Sequence, residues 1–304
     1  MLEIAIMIEG QNGLTWPRWQ KIVRLVEELG FVGLYRSDHF TNMNPPDKES
    51  LELWVSLTWL ACNTNRIEFG PLVTPFSFRH PAFTARMASA VDDLSNGRLT
   101  LGLGGGWQER EHQLFGFDLL DINPRFVRFE EGLQVVTNLL KNDSPVSFDG
   151  KFFQIREATL LPRPLRPGGP RILIGGNGKN RTLKLAARYA DEWNIIFAAP
   201  ETVKELNILM DKALQHERRD IKSVRRSMMT GCVFGHNEFA LKQKLEARGR
   251  TVDQLNQQGI VAGSGNEVRQ QLKRLEESGL QRIMLQWLDL DDLAGLEALA
   301  KAIL

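Results

Sequence analysis

Short apolar runs alternate with longer amphipathic stretches along nearly the whole chain. The runs are a few residues long and rich in Ile, Val, Leu or Phe, and most are followed by Gly, Asn, Asp or Thr, as in strands buried on both faces of a parallel sheet. The pattern predicts eight strands, at 3–8, 32–36, 66–73, 98–104, 171–175, 193–197, 227–234 and 281–286.

The stretches between these strands have the helical period. In the first, Trp19, Val23, Val26 and Leu29 are spaced at three and four residues, and Gly30 is a natural C-terminal stop. Repeats of strand and helix favour an α/β fold, a closed (β/α)8 TIM barrel, over an open sheet. We predict one domain over residues 1–304, with helices at 16–30, 51–64, 81–96, 124–141, 179–190, 201–218, 237–258, 265–279 and 289–303.

Residues 142–170 interrupt the repeat between the fourth helix and the fifth strand. Asp149-Gly150 lies between two short apolar runs, which is a hairpin signature. The stretch LLPRPLRPGGPR that follows carries four prolines. We interpret the segment as an insertion, and either a functional lid or a simple connector fits its composition.

Charge and cysteine content exclude several classes of function. Lys+Arg total 38 and Asp+Glu total 37, so no basic field exists to attract nucleic acid. Cys62 and Cys232 are far apart and lie in apolar contexts, which is typical of a reducing compartment. No apolar stretch approaches the roughly 20 residues of a membrane span, and the N-terminus has no basic leader. We expect a cytoplasmic protein that acts on a small molecule.

In a (β/α)8 barrel the functional residues lie at the C-terminal ends of the strands, so the polar residues after each strand should converge. One histidine, two acids, glycines and aromatics make up this set. The histidines and cysteines show none of the HxH, HExxH or CxxC spacings, so no metal site is predicted. The residues concerned are Glu9, Asp38, His39, Thr74, the stretch 104–107, the stretch 175–180, Phe197 and Trp287.

Two glycine-rich stretches follow strands. The first, GLGGGW at 102–107, fails the GxGxxG dinucleotide pattern because Trp107 stands where Gly is required. The second, GGNGKNR at 175–181, follows a strand and opens a helix, where backbone amides can bind an anion. A tight strand–helix turn explains the same glycines, although Lys179 and Arg181 favour phosphate.

Other polar residues have ordinary interpretations. Asp38 and His39 could cap a strand instead of acting on a substrate, and Glu9 is typical of a hydrogen-bonding residue at a barrel mouth. Arg79 and His80 precede Pro81 and fit a turn and a helix cap. His112, with Glu109 and Glu111, is interpreted as a solvated helix face.

Five segments carry a family likeness over nearly the whole chain. They are LYRSDHF (34–40), PLVTPFSFRHP (71–81), LSNGRLTLGLGGGWQEREHQLFGF (94–117), PRFVRFEEGL (124–133) and PRILIGGNGKNRTLKLAARYADEWN (170–194). With them the chain resembles the bacterial luciferase-like oxidoreductases, which use FMN or the deazaflavin coenzyme F420 in a TIM barrel. Among subgroups it looks most like the F420-dependent class. The resemblance also implies a homodimer formed through the early helices.

The resemblance implies roles for particular positions. His39 would lie near the reacting edge of the cofactor ring as the catalytic residue, with Asp38 beside the ring. The third strand would pass behind the central ring, with a non-prolyl cis peptide at Pro71-Leu72 or its neighbour. The glycine loop would hold the cofactor phosphate. The implied cofactor-binding residues are Asp38, His39, Pro71, Leu72, Val73, Thr74, Gly106, Trp107, Gly175, Gly176, Asn177 and Gly178.

The function implied is an F420-dependent oxidoreductase that transfers a hydride between the deazaflavin C5 and a small organic substrate. The alternative is an FMN-dependent monooxygenase that uses reduced flavin and oxygen, and a non-catalytic barrel is a third reading. A cationic open groove beyond the phosphate would favour F420, because its tail is an acidic oligoglutamate. Some F420-dependent sugar-phosphate dehydrogenases have Glu at the position of Trp107, so this chain departs from them toward an apolar or aromatic substrate.

Overall fold

The computed structural model describes residues 1–304, which form twelve strands and eleven helices. The strands are β1 (Glu3–Ile8), β2 (Gly33–Arg36), β3 (Glu68–Pro71), β4 (Thr74–Pro75), β5 (Thr100–Gly104), β6 (Val146–Asp149), β7 (Gln154–Ala158), β8 (Arg171–Gly175), β9 (Glu192–Ile196), β10 (Arg225–Phe234), β11 (Val261–Gly263) and β12 (Arg282–Gln286). The helices are α1 (Trp16–Leu29), α2 (Leu53–Asn63), α3 (Pro81–Leu94), α4 (Glu109–Phe115), α5 (Ile122–Lys141), α6 (Thr182–Tyr189), α7 (Pro200–His216), α8 (Glu238–Arg248), α9 (Val252–Gln257), α10 (Gly265–Glu277) and α11 (Leu293–Ile303).

The parallel strands close into a barrel. The order along the sheet is β3-β2-β1-β12-β10-β9-β8-β5-β4. Strand β3 lies within the third predicted strand (66–73), and β4 follows directly after its predicted end. A parallel bridge between Phe69 and Leu99 completes the ring, with the amide of Phe69 donating to the carbonyl of Arg98 over 3.2 Å. The predicted (β/α)8 TIM barrel is therefore confirmed.

Glycines allow β3 and β5 to lie unusually close together. A Cβ on Gly70 would collide with the carbonyl oxygen of Thr100, and one on Gly102 would collide with the carbonyl oxygen of Pro71. Between β3 and β4 the Leu72-Val73 peptide bond is cis. It is the bond next to Pro71-Leu72, one of the two positions that the family resemblance implied.

Three elements differ from the prediction. The helix expected over 237–258 is two helices, because Gly249 ends α8 with φ of 57° and Thr251 begins α9 with a capping box to Gln254. The short strand β11 pairs with the end of β10 and was not predicted. Neither was α4, whose Glu-Arg-Glu-His start lacks an apolar period.

The insertion contains the expected hairpin. Strands β6 and β7 pair antiparallel around Asp149 and Gly150. The Glu131 carboxylate on α5 accepts hydrogen bonds from the amides of Lys151 and Phe152, at 2.9 and 2.8 Å. These bonds hold the hairpin against α5 on the outside of the barrel.

The N-terminal end of the barrel is closed by buried charge. The Arg282 guanidinium lies 2.6 Å from Glu3, 2.8 Å from Glu68 and 3.3 Å from Glu192, and it donates to the Tyr35 hydroxyl over 2.7 Å. Both Arg282 and Glu192 are 1% exposed. Three carboxylates from three strands therefore surround one cation inside the barrel.

No helix is long and apolar enough to cross a membrane.

Candidate active site

The C-terminal end of the barrel opens into a cavity of about 550 Å³. Seven of the residues predicted to bind the cofactor line it, namely Asp38, His39, Leu72, Val73, Gly106, Trp107 and Gly175. Its remaining lining residues are Met7, Glu9, Ser37, Pro75, Gly104, Gly105, Glu111, Ile122, Arg125, Phe126, Phe129, Thr182, Asn194, Ile196, Phe197, Met229 and Gln286. No residue of the insertion 142–170 is among them, so the segment does not cover this cavity.

His39 lies in the wall of the cavity with one ring nitrogen engaged. Its Nδ1 is 2.8 Å from Oε1 of Glu111, and its ring meets Trp107 edge-on with centroids 5.3 Å apart. Nε2 makes no hydrogen bond within the chain. Burial opposes the charged ring, but the hydrogen bond and charge of Glu111, with the charges of Glu9 and Asp38, outweigh it and raise the pKa of His39.

Glu111 and His112 are buried, so the interpretation of a solvated helix face was wrong for these two residues, whereas Glu109 is exposed as expected. Glu111 and His112 are 1% and 2% exposed. His112 donates from Nδ1 to the carbonyl of Gln108 over 2.7 Å and accepts from the Ser77 hydroxyl at Nε2 over 2.8 Å. Glu111 and His112 of α4 therefore point inward, onto loops that follow other strands.

The Asp38 carboxylate is engaged by protein groups. It is 4% exposed and accepts hydrogen bonds from the Thr74 hydroxyl at 2.7 Å and from the Arg79 guanidinium. Arg79 also donates to Glu52 over 2.8 Å. Thr74 does not line the cavity. Asp38 and Thr74 thus hold Arg79 in a buried ion pair, and Arg79 does more than form a turn.

Part of the cavity wall near His39, at the ends of the neighbouring strands β1 and β2, is polar. The Glu9 carboxylate accepts hydrogen bonds from Gln286 at 2.7 Å and from Gln11 at 2.9 Å. The Ser37 hydroxyl donates to Gln11 over 2.7 Å. Glu9 is therefore a hydrogen-bonding residue at the mouth, in line with its sequence position.

The glycine loop after β8 is a tight turn. The Asn177 side chain is bound to the backbone of Ile196, with hydrogen bonds of 2.7 and 2.9 Å. A Cβ on Gly178 would lie 2.7 Å from the Thr182 hydroxyl, and Gly176 has φ of 123°. Of the predicted phosphate residues only Gly175 lines the cavity, while Gly176, Asn177 and Gly178 lie in the turn that follows it. Pro71, the last residue of β3, does not line the cavity either.

Two glycines that line the cavity, Gly105 and Gly175, stand where the packing of the chain would leave room for a larger residue. A Cβ on Gly105 would come no closer than 3.7 Å to another side chain, and one on Gly175 no closer than 3.5 Å. Both distances are ordinary van der Waals contacts. These positions therefore keep space free within the cavity, as a site for a flat ring and its phosphate requires.

A second, shallower groove of about 430 Å³ adjoins the cavity and shares Phe126 with it. Arg181 lies over the Phe126 ring at 5.3 Å and donates to the neutral Asn123. Arg188 pairs with Glu130 and Glu217, both at 3.0 Å. Lys184 forms no ion pair. The other lining residues are Val127, Asn180 and Leu185.

Sequence reasoning missed several residues of this end. Lys184 and Arg188 follow Arg181 at three and seven residues, so helical spacing could have placed them on one face. Nothing in the sequence around Glu111 indicated that this residue is buried beside His39. No group of three or more His, Cys, Asp and Glu residues is arranged to hold a metal ion.

The fold agrees with the family that sequence comparison finds. The family described as "Luciferase-like monooxygenase" matches residues 3–253. The chain belongs to this family and is an oxidoreductase.

The names of relatives in the family specify different cofactors. An F420-dependent glucose-6-phosphate dehydrogenase of Kineococcus radiotolerans is 30% identical over 54% of this chain, which spans about half (48%) of that enzyme. The enzyme of the same name from Amycolatopsis mediterranei is 25% identical over 85% of this chain and 84% of its own length. An FMNH2-dependent dimethylsulfone monooxygenase of Pseudomonas putida is 24% identical over 77% of this chain and 60% of its own length.

Solved structures confirm the architecture. An F420-dependent secondary alcohol dehydrogenase, in complex with an F420-acetone adduct, superposes with a TM-score of 0.86. The match covers 99% of this chain and 98% of that one at 18% identity. At this identity the likeness establishes the fold.

Proposed function

We propose that the chain is an F420-dependent oxidoreductase that transfers a hydride between C5 of the deazaflavin and a small organic substrate. The names of the relatives support this cofactor, and so does the cationic groove beside the cavity. When bound, the cofactor would supply the hydride chemistry. The residues of the chain would bind and orient the two reactants and hold a proton at His39.

The groove is the observation that carries the choice of F420. Arg181 and Lys184 have no carboxylate partner. Arg181 is the N-cap of α6 and Lys184 lies in its first turn, directly after the glycine loop. Two unneutralised cations there would attract the acidic oligoglutamate tail of F420. FMN ends at its phosphate and has nothing to place in the groove.

The cavity residues fit the other parts of the cofactor. Leu72 and Val73 would support the ring from behind, Gly106 and Trp107 would cover it, and the loop from Gly175 to Gly178 would hold the phosphate. Asp38 fixes Arg79 and Thr74, so its part in binding would be indirect.

The remaining wall favours an apolar or aromatic substrate. Ile122, Phe126, Phe129 and Phe197 line the cavity, and Trp107 stands at its rim with 54% exposure. Apolar side chains with few polar groups are typical of sites for small organic molecules. Among the polar lining residues, His39 and Glu9 would meet the reacting oxygen.

Affinity measured side by side for F420 and FMN tests the proposal. Wild-type protein should bind F420 more tightly than FMN, and Arg181→Gln with Lys184→Gln should weaken F420 binding about tenfold, because two exposed charges are lost. FMN binding should change little. Lys204→Gln is the matched control, since Lys204 is exposed on α7 outside the groove.

Micromolar binding of FMN without binding of F420 would overturn this proposal. The FMN-dependent monooxygenase, which the Pseudomonas relative supports, would then be the better reading. The homodimer and the cytoplasmic location stay predictions.

A further inference from the structure

The His39–Glu111 contact joins two loops that are distant along the chain. His39 follows β2, and Glu111 belongs to α4, which follows β5. The two carboxylate oxygens of Glu111 serve two partners. Oε1 meets Nδ1 of His39 at 2.8 Å, and Oε2 accepts from the amide of Phe40 at 3.0 Å. Both oxygens are thus fixed on consecutive residues.

This arrangement settles which ring nitrogen of His39 can meet a ligand. A carboxylate beside Nδ1 requires a proton on that nitrogen, since two acceptors would repel each other. Nε2 is left without a partner in a residue that lines the cavity. The imidazole can therefore gain or lose a proton only at Nε2, toward a substrate.

We propose that Glu111 is a positioning residue that keeps the Nδ1 proton on His39 and so makes Nε2 the proton-transfer atom of the active site. This rests on the proposed function. One proton moves between Nε2 and the substrate oxygen, while Nδ1 keeps its proton and its hydrogen bond to Glu111. Carboxylates play the same part behind other catalytic histidines.

Neighbouring segments hold Glu111 in place. Gln108 donates to Thr41 at 3.0 Å, and Arg110 pairs with Asp47 at 2.7 Å, so the start of α4 is tied to the loop after β2 at several points. Loss of the Glu111 charge should therefore leave the loop in place. That makes a substitution at Glu111 informative about chemistry as well as about folding.

Several charged groups act on the His39 ring. Glu111 from α4 is in direct contact, Glu9 approaches from the end of β1, and Asp38 lies in the same loop. Arg79 partly neutralises Asp38 from the loop after β4. Glu111 supplies the largest of the contributions that favour the imidazolium, and burial acts against them.

The experiment is a titration of the histidine ring by NMR in cofactor-free protein, with His39→Gln used to assign the signal. In Glu111→Gln the side chain keeps its size and one acceptor oxygen, but its charge is gone. The His39 titration should then move to lower pH. Glu109→Gln is the matched control, because Glu109 is exposed on the same helix, and there the titration should not move.

A second measurement separates positioning from structural support. With F420 and a substrate, Glu111→Gln should lower kcat by about tenfold or more with little change in KM, as expected for an orienting carboxylate. An unmoved His39 titration in a folded Glu111→Gln protein would overturn the inference. So would an unchanged kcat. If F420 does not bind at all, the proposed function fails, and the titration still decides the coupling between His39 and Glu111.

Discussion

The two ends of the barrel both gather ionisable side chains, but they use them differently. At the N-terminal end Arg282 is surrounded by Glu3, Glu68 and Glu192, and these groups pair with one another and with Arg225 inside the protein. At the C-terminal end His39 and Glu9 each bind protein groups on one side and face the cavity on the other. The guanidinium of Arg282 is engaged at all three nitrogens by protein groups, whereas the ring of His39 leaves Nε2 for a ligand.

This difference shows how to tell a structural charge from a functional one when both are buried. A buried charge costs free energy unless it is paired and hydrogen-bonded. Arg282 meets that requirement with protein groups alone. Asp38 lies at the C-terminal end of the barrel, but its carboxylate is paired with protein groups, Thr74 and Arg79, as Arg282 is at the N-terminal end. Position on the barrel therefore suggests function, and the partners of each atom decide it.

Breaking the N-terminal cluster should have the largest effect on stability. Arg282→Ala leaves three carboxylates without their central cation, one of them fully buried. The free energy of unfolding should fall by about 3–5 kcal/mol, as for other broken buried ion pairs. Denaturant unfolding monitored by circular dichroism measures this.

Arg171→Ala is the control for that prediction. Arg171 is 49% exposed and lies 3.4 Å from Glu68, so its loss should cost less than about 1 kcal/mol. Equal losses from the two variants would mean that the buried cluster contributes no more than an exposed pair.

His39→Gln should have the next largest effect, and on activity. Gln can keep the hydrogen bond to Glu111 through its amide N–H, but the amide neither takes up nor releases a proton near neutral pH. Turnover should fall at least about tenfold, because proton transfer at Nε2 is lost. The free energy of unfolding should stay within about 1 kcal/mol of wild type.

His216→Gln serves as its control, since that side chain is 86% exposed and remote from the cavity. An unaffected rate in His39→Gln would remove the role assigned to His39. The charged residues at both ends of the barrel, His39 and Arg282, would then have a structural role only.

The barrel was predictable because buried parallel strands are short apolar runs that recur at regular intervals. What was missed is local and polar. Strand β11 has three residues, too few for a pattern, and α8 and α9 look like one helix until Gly249 and the Thr251 cap are weighed. The TIM barrel depends on the repeat, which such details do not disturb.

The sequence predicted which residues of the candidate site follow the strands, but it did not predict which side chains they contact. Asp38 and His39 stand where a barrel places its functional residues, and the structure brings both to the cavity. The partners of their side chains come from segments 36 to 72 residues away, which no local pattern reveals. Glu111 looked solvated because its neighbours in sequence are charged. The contact with His39 exists only after the barrel has closed.

The smallest effect we predict is on the pH dependence of stability, and it isolates His39 from the rest of its end of the barrel. Glu111 and the neighbouring acids raise the pKa of His39 in the folded chain above the value of about 6.5 expected when unfolded. A group whose pKa is raised on folding stabilises the protein fully below its unfolded pKa, and this contribution disappears as pH rises through the folded value.

Wild type and His39→Gln should therefore differ most in unfolding free energy at acidic pH, and the difference should shrink as pH rises. Denaturant titrations at a series of pH values from about 5 to 9 measure it. Arg171→Ala should give a flatter difference over that range, because an arginine stays charged throughout. A constant difference for His39→Gln would show that Glu111 and His39 are not coupled through charge, so that the hydrogen bond alone joins the two loops.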